Sequence, residues 1–205
     1  SHGMVMLLDW SGSMDSIAHD TIKQILVLVQ FCRKVQIPFQ VYTFTTGSVY
    51  EHDKLKEVKN QPSPRAHMVE VLNSSVKKNQ LDKDIFNLFL VGLYYNQRVY
   101  NYAPNPCSLL GMGGTPLNNC LFTCKIILER FKEDTAVDKV SFVTITDGES
   151  AYLEYYNGRT NYDTAYNGTV MIRGNNGSVF RLDDDNWRTP GSIAKWITDT
   201  LPYVS

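Results

Sequence analysis

Asp9, Ser11 and Ser13 stand at alternate positions in Leu8-Asp9-Trp10-Ser11-Gly12-Ser13-Met14, one carboxylate and two hydroxyls on a tight turn directly after an apolar run. Alternate positions of an extended segment face one way, so three oxygens can converge on one point. Thr115, in Gly113-Gly114-Thr115-Pro116-Leu117, and Asp147, in Thr146-Asp147-Gly148-Glu149, add a hydroxyl and a second carboxylate from distant parts of the chain. If the segments carrying them are neighbours in a parallel sheet, all five gather beyond the C-terminal ends of its strands, where open α/β sheets bind ligands. Hard oxygen donors without His or Cys suit Mg2+ or Mn2+ in an octahedral shell completed by water or by an outside carboxylate. A Glu or Asp of a partner protein is then a strong electrostatic match. Trp10, Met14, Gly113, Gly114 and Glu149 flank these positions and are the candidate partner-contact residues.

The elements that must position these groups can be read along the chain. Met4–Leu8 is a continuous apolar run ending at Asp9, the pattern of a strand covered on both faces. From Ile17 to Lys34 apolar residues recur at 22, 25, 26, 28, 29 and 32, a helical stripe that stops before Pro38. Phe39–Phe44 is aromatic and β-branched, a second strand that a helical crossover makes parallel to the first. Residues 45–65 are polar and read as loop with a short strand near Leu55–Val58. Asp82–Tyr95 reads as a helix, although its density of apolar residues leaves strand open for the second half. Thr115 is placed to cap, and Pro116 to open, a helix running to about Phe131. Val140–Thr146 is the next strand and ends at Asp147 as the first ends at Asp9.

From 150 to 182 the composition shifts to Tyr, Asn, Gly and Thr, an expected insertion with a hairpin over 170–180 about an Asn-Gly turn. Thr189-Pro190 opens a last helix to about Leu201. The expected fold is α/β: a doubly wound, mostly parallel sheet flanked by helices, with this Tyr/Asn-rich insertion. Ser1-His2-Gly3 reads as the remnant of a cleaved tag and 4–205 as one domain. Because Tyr203-Val204-Ser205 comes before any further strand, the chain is expected to be a fragment of a longer protein. Its sheet edge is then bare or covered by the 170–180 hairpin.

Composition excludes several function classes. Twenty Lys and Arg against 21 Asp and Glu leave a net charge of -1, so no basic field draws in nucleic acid or an anionic membrane. No apolar run approaches the roughly 20 residues that span a bilayer. The four cysteines are too few for a disulfide scaffold and imply reduced thiols in the cytoplasm. Cys120 and Cys124 lack further zinc ligands nearby and read as small buried thiols. His19, His52 and His67 are scattered, and Asp183-Asp184-Asp185 reads as a solvated loop. A haloacid-dehalogenase-like phosphatase needs a second acid two residues after its first aspartate, where Ser11 stands. Neither a Gly-x-Ser-x-Gly elbow nor a Gly-Lys-Ser/Thr phosphate loop occurs. Metal-assisted phosphoester hydrolysis stays as an alternative, but a divalent ion with no evident general base favours binding over catalysis.

With its three motifs in this order, the chain resembles a von Willebrand factor A domain bearing a metal-ion-dependent adhesion site. The resemblance covers residues 4 to about 149 and matches the family's Asp-x-Ser-x-Ser loop at Asp9, Ser11 and Ser13, its second-loop threonine at Thr115 and its third-loop aspartate at Asp147. It implies that the two serines bind the metal directly and that the threonine and the aspartates do so directly or through water. The Gly113-Gly114-Thr115-Pro116-Leu117 loop is similar to that of accessory subunits of cobalt and magnesium chelatases, which work with a ring-forming AAA+ ATPase. Leu8–Met14 and Phe31–Phe39 also resemble cobalt-chelatase-like proteins of large tailed phages, which would place the chain in a host cytoplasm. The implied function is a metal-dependent protein-interaction module without catalysis of its own. The alternative is an accessory subunit of an AAA+-driven metal chelatase or remodelling complex.

Overall fold

The computed structural model describes residues 1–46, 66–96, 104–148, 150–156, 162–164, 170–175, 177–182 and 189–205. Its centre is β1 (His2–Asp9), whose buried residues alternate between two cores. Met6 and Leu8 point to one face of the sheet, and Val5 and Leu7 to the other. The strand starts at His2, not Met4, because His2 and Gly3 already pair with Lys139 and Val140. A Cβ at Gly3 would lie 2.5 Å from the ring of Phe131, which is 1% exposed and cannot retreat. Gly3→Ala is therefore expected to cost about 1–3 kcal/mol, the range for extra bulk in a filled core, read as a lower midpoint in thermal or urea unfolding.

The helix α1 (Ala18–Val35) buries Ile22, Ile25, Val29 and Cys32 on the Met6 face. It ends where Gln36 turns left-handed and Ile37 N–H bonds back to Cys32 O. β2 (Phe39–Thr45) follows, parallel to β1 as the crossover requires. β3 (His67–Asn73) pairs antiparallel with β2 at the sheet's edge and was not anticipated. The short strand expected near Leu55–Val58 lies outside the described residues. The segment expected to be helical from Asp82 is α2 (Lys78–Tyr94), helical throughout. Spacing of 7 and 3 between Leu81, Leu88 and Val91 packs it against α1.

On the opposite face α3 (Leu117–Thr135) buries Leu117, Cys120, Leu121, Cys124, Leu128 and Phe131 and leads into β4 (Lys139–Ile145), parallel to β1. The strand order is β3-β2-β1-β4. The result is a mixed α/β fold with an open, mostly parallel sheet and helices on both faces. Since β1 connects to β2 over one face while β4 is reached over the other, the chain diverges between β1 and β4. A crevice at the strand C-termini results, and Asp9 and Asp147 both stand there.

Two short hairpins occupy the region expected as an insertion: β5 (Glu154–Tyr156) with β6 (Tyr162–Thr164), and β7 (Val170–Arg173) with β8 (Val179–Leu182). Gly177, at φ 76°, supplies the left-handed residue of the β7–β8 turn. This hairpin does not cover the sheet edge. It packs on α4 (Thr189–Thr200), where Ser178 Oγ donates to Asp199, Asn175 Nδ2 to Thr200 O and Trp196 Nε1 to Arg173 O. The free side of β4 is met instead by residues 203–205. They run parallel to it through a Val140–Val204 bridge, with Val140 N–H donating to Tyr203 O at 2.8 Å. This contact is a single bridge and adds no further strand to the sheet among the described residues. Among the described residues no helix is long and apolar enough to cross a membrane.

Candidate metal centre

The first loop leaves β1 with its carboxylate buried. Asp9 is 0% exposed, and both its oxygens are bonded: Oδ1 accepts Ser11 N–H at 3.0 Å and Oδ2 accepts the Thr146 hydroxyl at 2.5 Å. A single turn of 3₁₀ helix, Gly12–Met14, lifts Ser13 to the surface. Ser11 Oγ and Ser13 Oγ lie 3.0 Å apart, and Ser13 Oγ donates to Asp147 Oδ1 at 3.0 Å. Ser11, Ser13 and Asp147 thus form a continuous chain of oxygens across the β1–β4 crevice.

The second loop is joined to the first by backbone atoms. Gly12 N–H donates to Gly113 O at 2.8 Å, Gly113 N–H approaches Trp10 O at 3.4 Å, and Ser11 and Gly113 form a parallel bridge. Gly114 N–H donates to Thr46 Oγ1 at 2.7 Å, and a Cβ there would meet that oxygen at 2.8 Å, so glycine permits the approach. Thr115 does not cap α3 with its side chain, and Pro116 precedes the helix rather than opening it. The cap is supplied from the third loop: Ser150 Oγ accepts Asn118 N–H at 3.0 Å. Ala151 N–H donates to Thr115 O, Asn118 Nδ2 to Ala151 O and Asn119 Nδ2 to Glu154 O, fastening residues 150–154 to the start of α3. The Thr115 hydroxyl has no hydrogen bond among the described residues.

The partner-contact expectations divide. Trp10 and Met14 are each 1% exposed and belong to the core under the loops, so a partner cannot reach them. Trp10 Nε1 instead donates to Leu110 O at 2.7 Å while its ring meets Tyr95 edge-on, pinning the second loop from below. Gly113 and Gly114 act through their backbone. Glu149 and Asp183–Asp185 lie outside the described residues.

Electrostatics give the centre a use for a cation. Burial pushes the Asp9 carboxyl above its ordinary range, the bonds from Thr146 and Ser11 pull it back, and the negative charge of Asp147 pushes it up again. A divalent ion offsets both unfavourable terms. Mg–O distances of 2.0–2.1 Å put adjacent octahedral ligands about 2.9 Å apart. The Ser11–Ser13 and Ser13–Asp147 spacings, both 3.0 Å, match that edge. Among the described residues no three His, Cys, Asp or Glu side chains gather as a metal cluster, so the candidate rests on two carboxylates and hydroxyls. That donor set fits Mg2+ or Mn2+.

Thr146, Thr46, Ser150, Asn118 and Asn119 are the positioning groups that motif reading missed. Only Thr146 carried a signal, its place beside Asp147. No protein-family model, curated protein or solved structure matches the chain.

Proposed function

We propose that this chain is a divalent-metal-dependent protein-interaction module with a doubly wound, von Willebrand factor A-like fold. Ser11, Ser13 and Asp147, with Asp9 and Thr115 directly or through water, hold Mg2+ or Mn2+, and a Glu or Asp of a partner completes the shell. The carrying observation is the oxygen chain Ser11–Ser13–Asp147 at octahedral spacing beyond the ends of two parallel strands. Three loops that meet at this crevice leave Ser13 and Asp147 exposed, as a docking carboxylate requires. The Gly113-Gly114-Thr115-Pro116-Leu117 loop extends the reading to an AAA+ ATPase as the partner. Four free cysteines, three of them buried, suit a reducing cytoplasm.

The test is titration of the metal-free chain with Mn2+, followed by electron paramagnetic resonance, in the wild type and in Asp147→Ala. Asp147 is exposed, so its loss leaves the fold intact. Wild-type binding that the variant loses supports the reading. A wild type that leaves millimolar Mn2+ free sinks it. Host proteins retained on the immobilised chain and released by EDTA then identify the partner, and retention indifferent to EDTA and to the variant counts against a metal-bridged contact.

A further inference from the structure

We infer that Thr146 is the positioning residue of this centre, setting its metal affinity through one hydroxyl that holds the carboxylate of the first loop and the turn of the third together. The inference rests on the metal reading above. Thr146 Oγ1 donates to Asp9 Oδ2 at 2.5 Å across 137 residues of sequence, and the same oxygen faces Gly148 N–H at 3.4 Å. Its proton fixes the rotation of the buried Asp9 carboxylate. Its lone pair closes the turn on which Asp147 stands.

The hydroxyl is well placed for this work and poorly explained by packing. Thr146 is exposed as a residue, yet its hydroxyl bonds a carboxylate that is 0% exposed. Among the described residues the other donors to Asp9 both come from Ser11, whose N–H lies 3.0 Å from Oδ1 and whose hydroxyl also lowers the carboxyl's pKa. Without the Thr146 proton, Oδ2 faces the crevice unpaired, next to the negative charge of Asp147. The carboxylate is then free to turn away from the position in which the hydrogen bond holds Oδ2, and presents its oxygens less well to a cation. Donors that hold a metal-binding carboxylate in place typically change metal affinity about 10–100-fold when removed.

Mn2+ titration by electron paramagnetic resonance on the full chain, comparing wild type with Thr146→Val and Thr146→Ser, decides the matter. Valine keeps the shape and removes the hydroxyl, and is expected to weaken Mn2+ binding about 10–100-fold. Serine restores the hydroxyl without the methyl and is expected to stay within about threefold of wild type, a rescue that a packing role does not produce. Thr146→Ala deletes the same hydroxyl with less bulk and repeats the loss if valine fails to fold. Wild-type affinity in valine or alanine overturns the inference and leaves the metal reading standing, as does equal weakening by serine and valine. A wild type that binds no Mn2+ overturns both.

Discussion

Saturating Mn2+ is expected to raise the thermal midpoint of the metal-free protein by about 5–10 °C, and EDTA to reverse the shift. An ion at 100 times its dissociation constant stabilises the state it binds by about 2.7 kcal/mol. For a chain of this length each kcal/mol moves the midpoint by about 2–4 °C. The gain arises because the cation acts only on the folded arrangement. Asp9 and Asp147 are separated by 138 residues and meet only when β1 and β4 pair. Differential scanning fluorimetry in Mn2+, Mg2+ and EDTA measures it. An unchanged midpoint across all three contradicts a site at this crevice.

Asp9→Asn is expected to weaken Mn2+ binding by more than about 100-fold, above the range for loss of a supporting group, and yet to melt at a higher temperature than the wild type in EDTA at pH 7. The amide keeps the geometry: its oxygen accepts Ser11 N–H, and its nitrogen donates to the Thr146 hydroxyl, which has lone pairs to spare. What it removes is a charge that folding buries beside Asp147. Because burial raises the Asp9 carboxyl above its unfolded value of 3.8, the folded state holds the Asp9 proton more tightly than the unfolded chain does. That contribution to stability is complete below pH 3.8 and is lost as pH rises through the folded-state value. The advantage of asparagine over wild type in EDTA should therefore appear at neutral pH and shrink toward zero on acidification below 3.8. Paired melts of the two proteins over pH 3–8 test this, and a variant less stable than wild type throughout refutes the electrostatic account. Together with the Mn2+ shift, this separates two properties of one carboxylate: it costs stability alone and contributes it with a cation bound.

Most of the architecture was legible because burial dictated the pattern. Met4–Leu8 is apolar at every position, as only a strand between two helical layers needs to be, and Ile22, Ile25, Val29 and Cys32 can share a face only on a helix. β3 was missed because an edge strand buries little. Of His67–Asn73 only Leu72 is fully covered, so the composition has no reason to be strongly apolar. That Asp9, Ser11, Ser13 and Asp147 come together was legible because three of them alternate on one turn and the fourth ends a strand of the same sheet. Thr115 showed the limit: a threonine before proline suggested a cap, but its carbonyl is engaged by Ala151, and the cap comes from Ser150, 32 residues beyond Asn118. Bonds between distant segments leave no spacing to read. Trp10 and Met14 could be read either as packing over the first helix or as partner contacts, and their burial decides for packing, since residues beside a surface loop need not be on the surface.

The backbone bridge between Ser11 and Gly113 makes the arrangement of the oxygen-bearing loops independent of the exposed residues around them. The join is made by main-chain atoms and braced by Trp10 on Leu110 O, so it is indifferent to the exposed side chains just upstream, among them Asn105, Cys107, Ser108 and Leu109. Those positions can drift, or be randomised in a library, without disturbing the oxygens beneath. On the proposed function, one unchanged set of oxygens could in this way be fitted in succession to many different docking surfaces, much as variable loops are exchanged on a rigid scaffold.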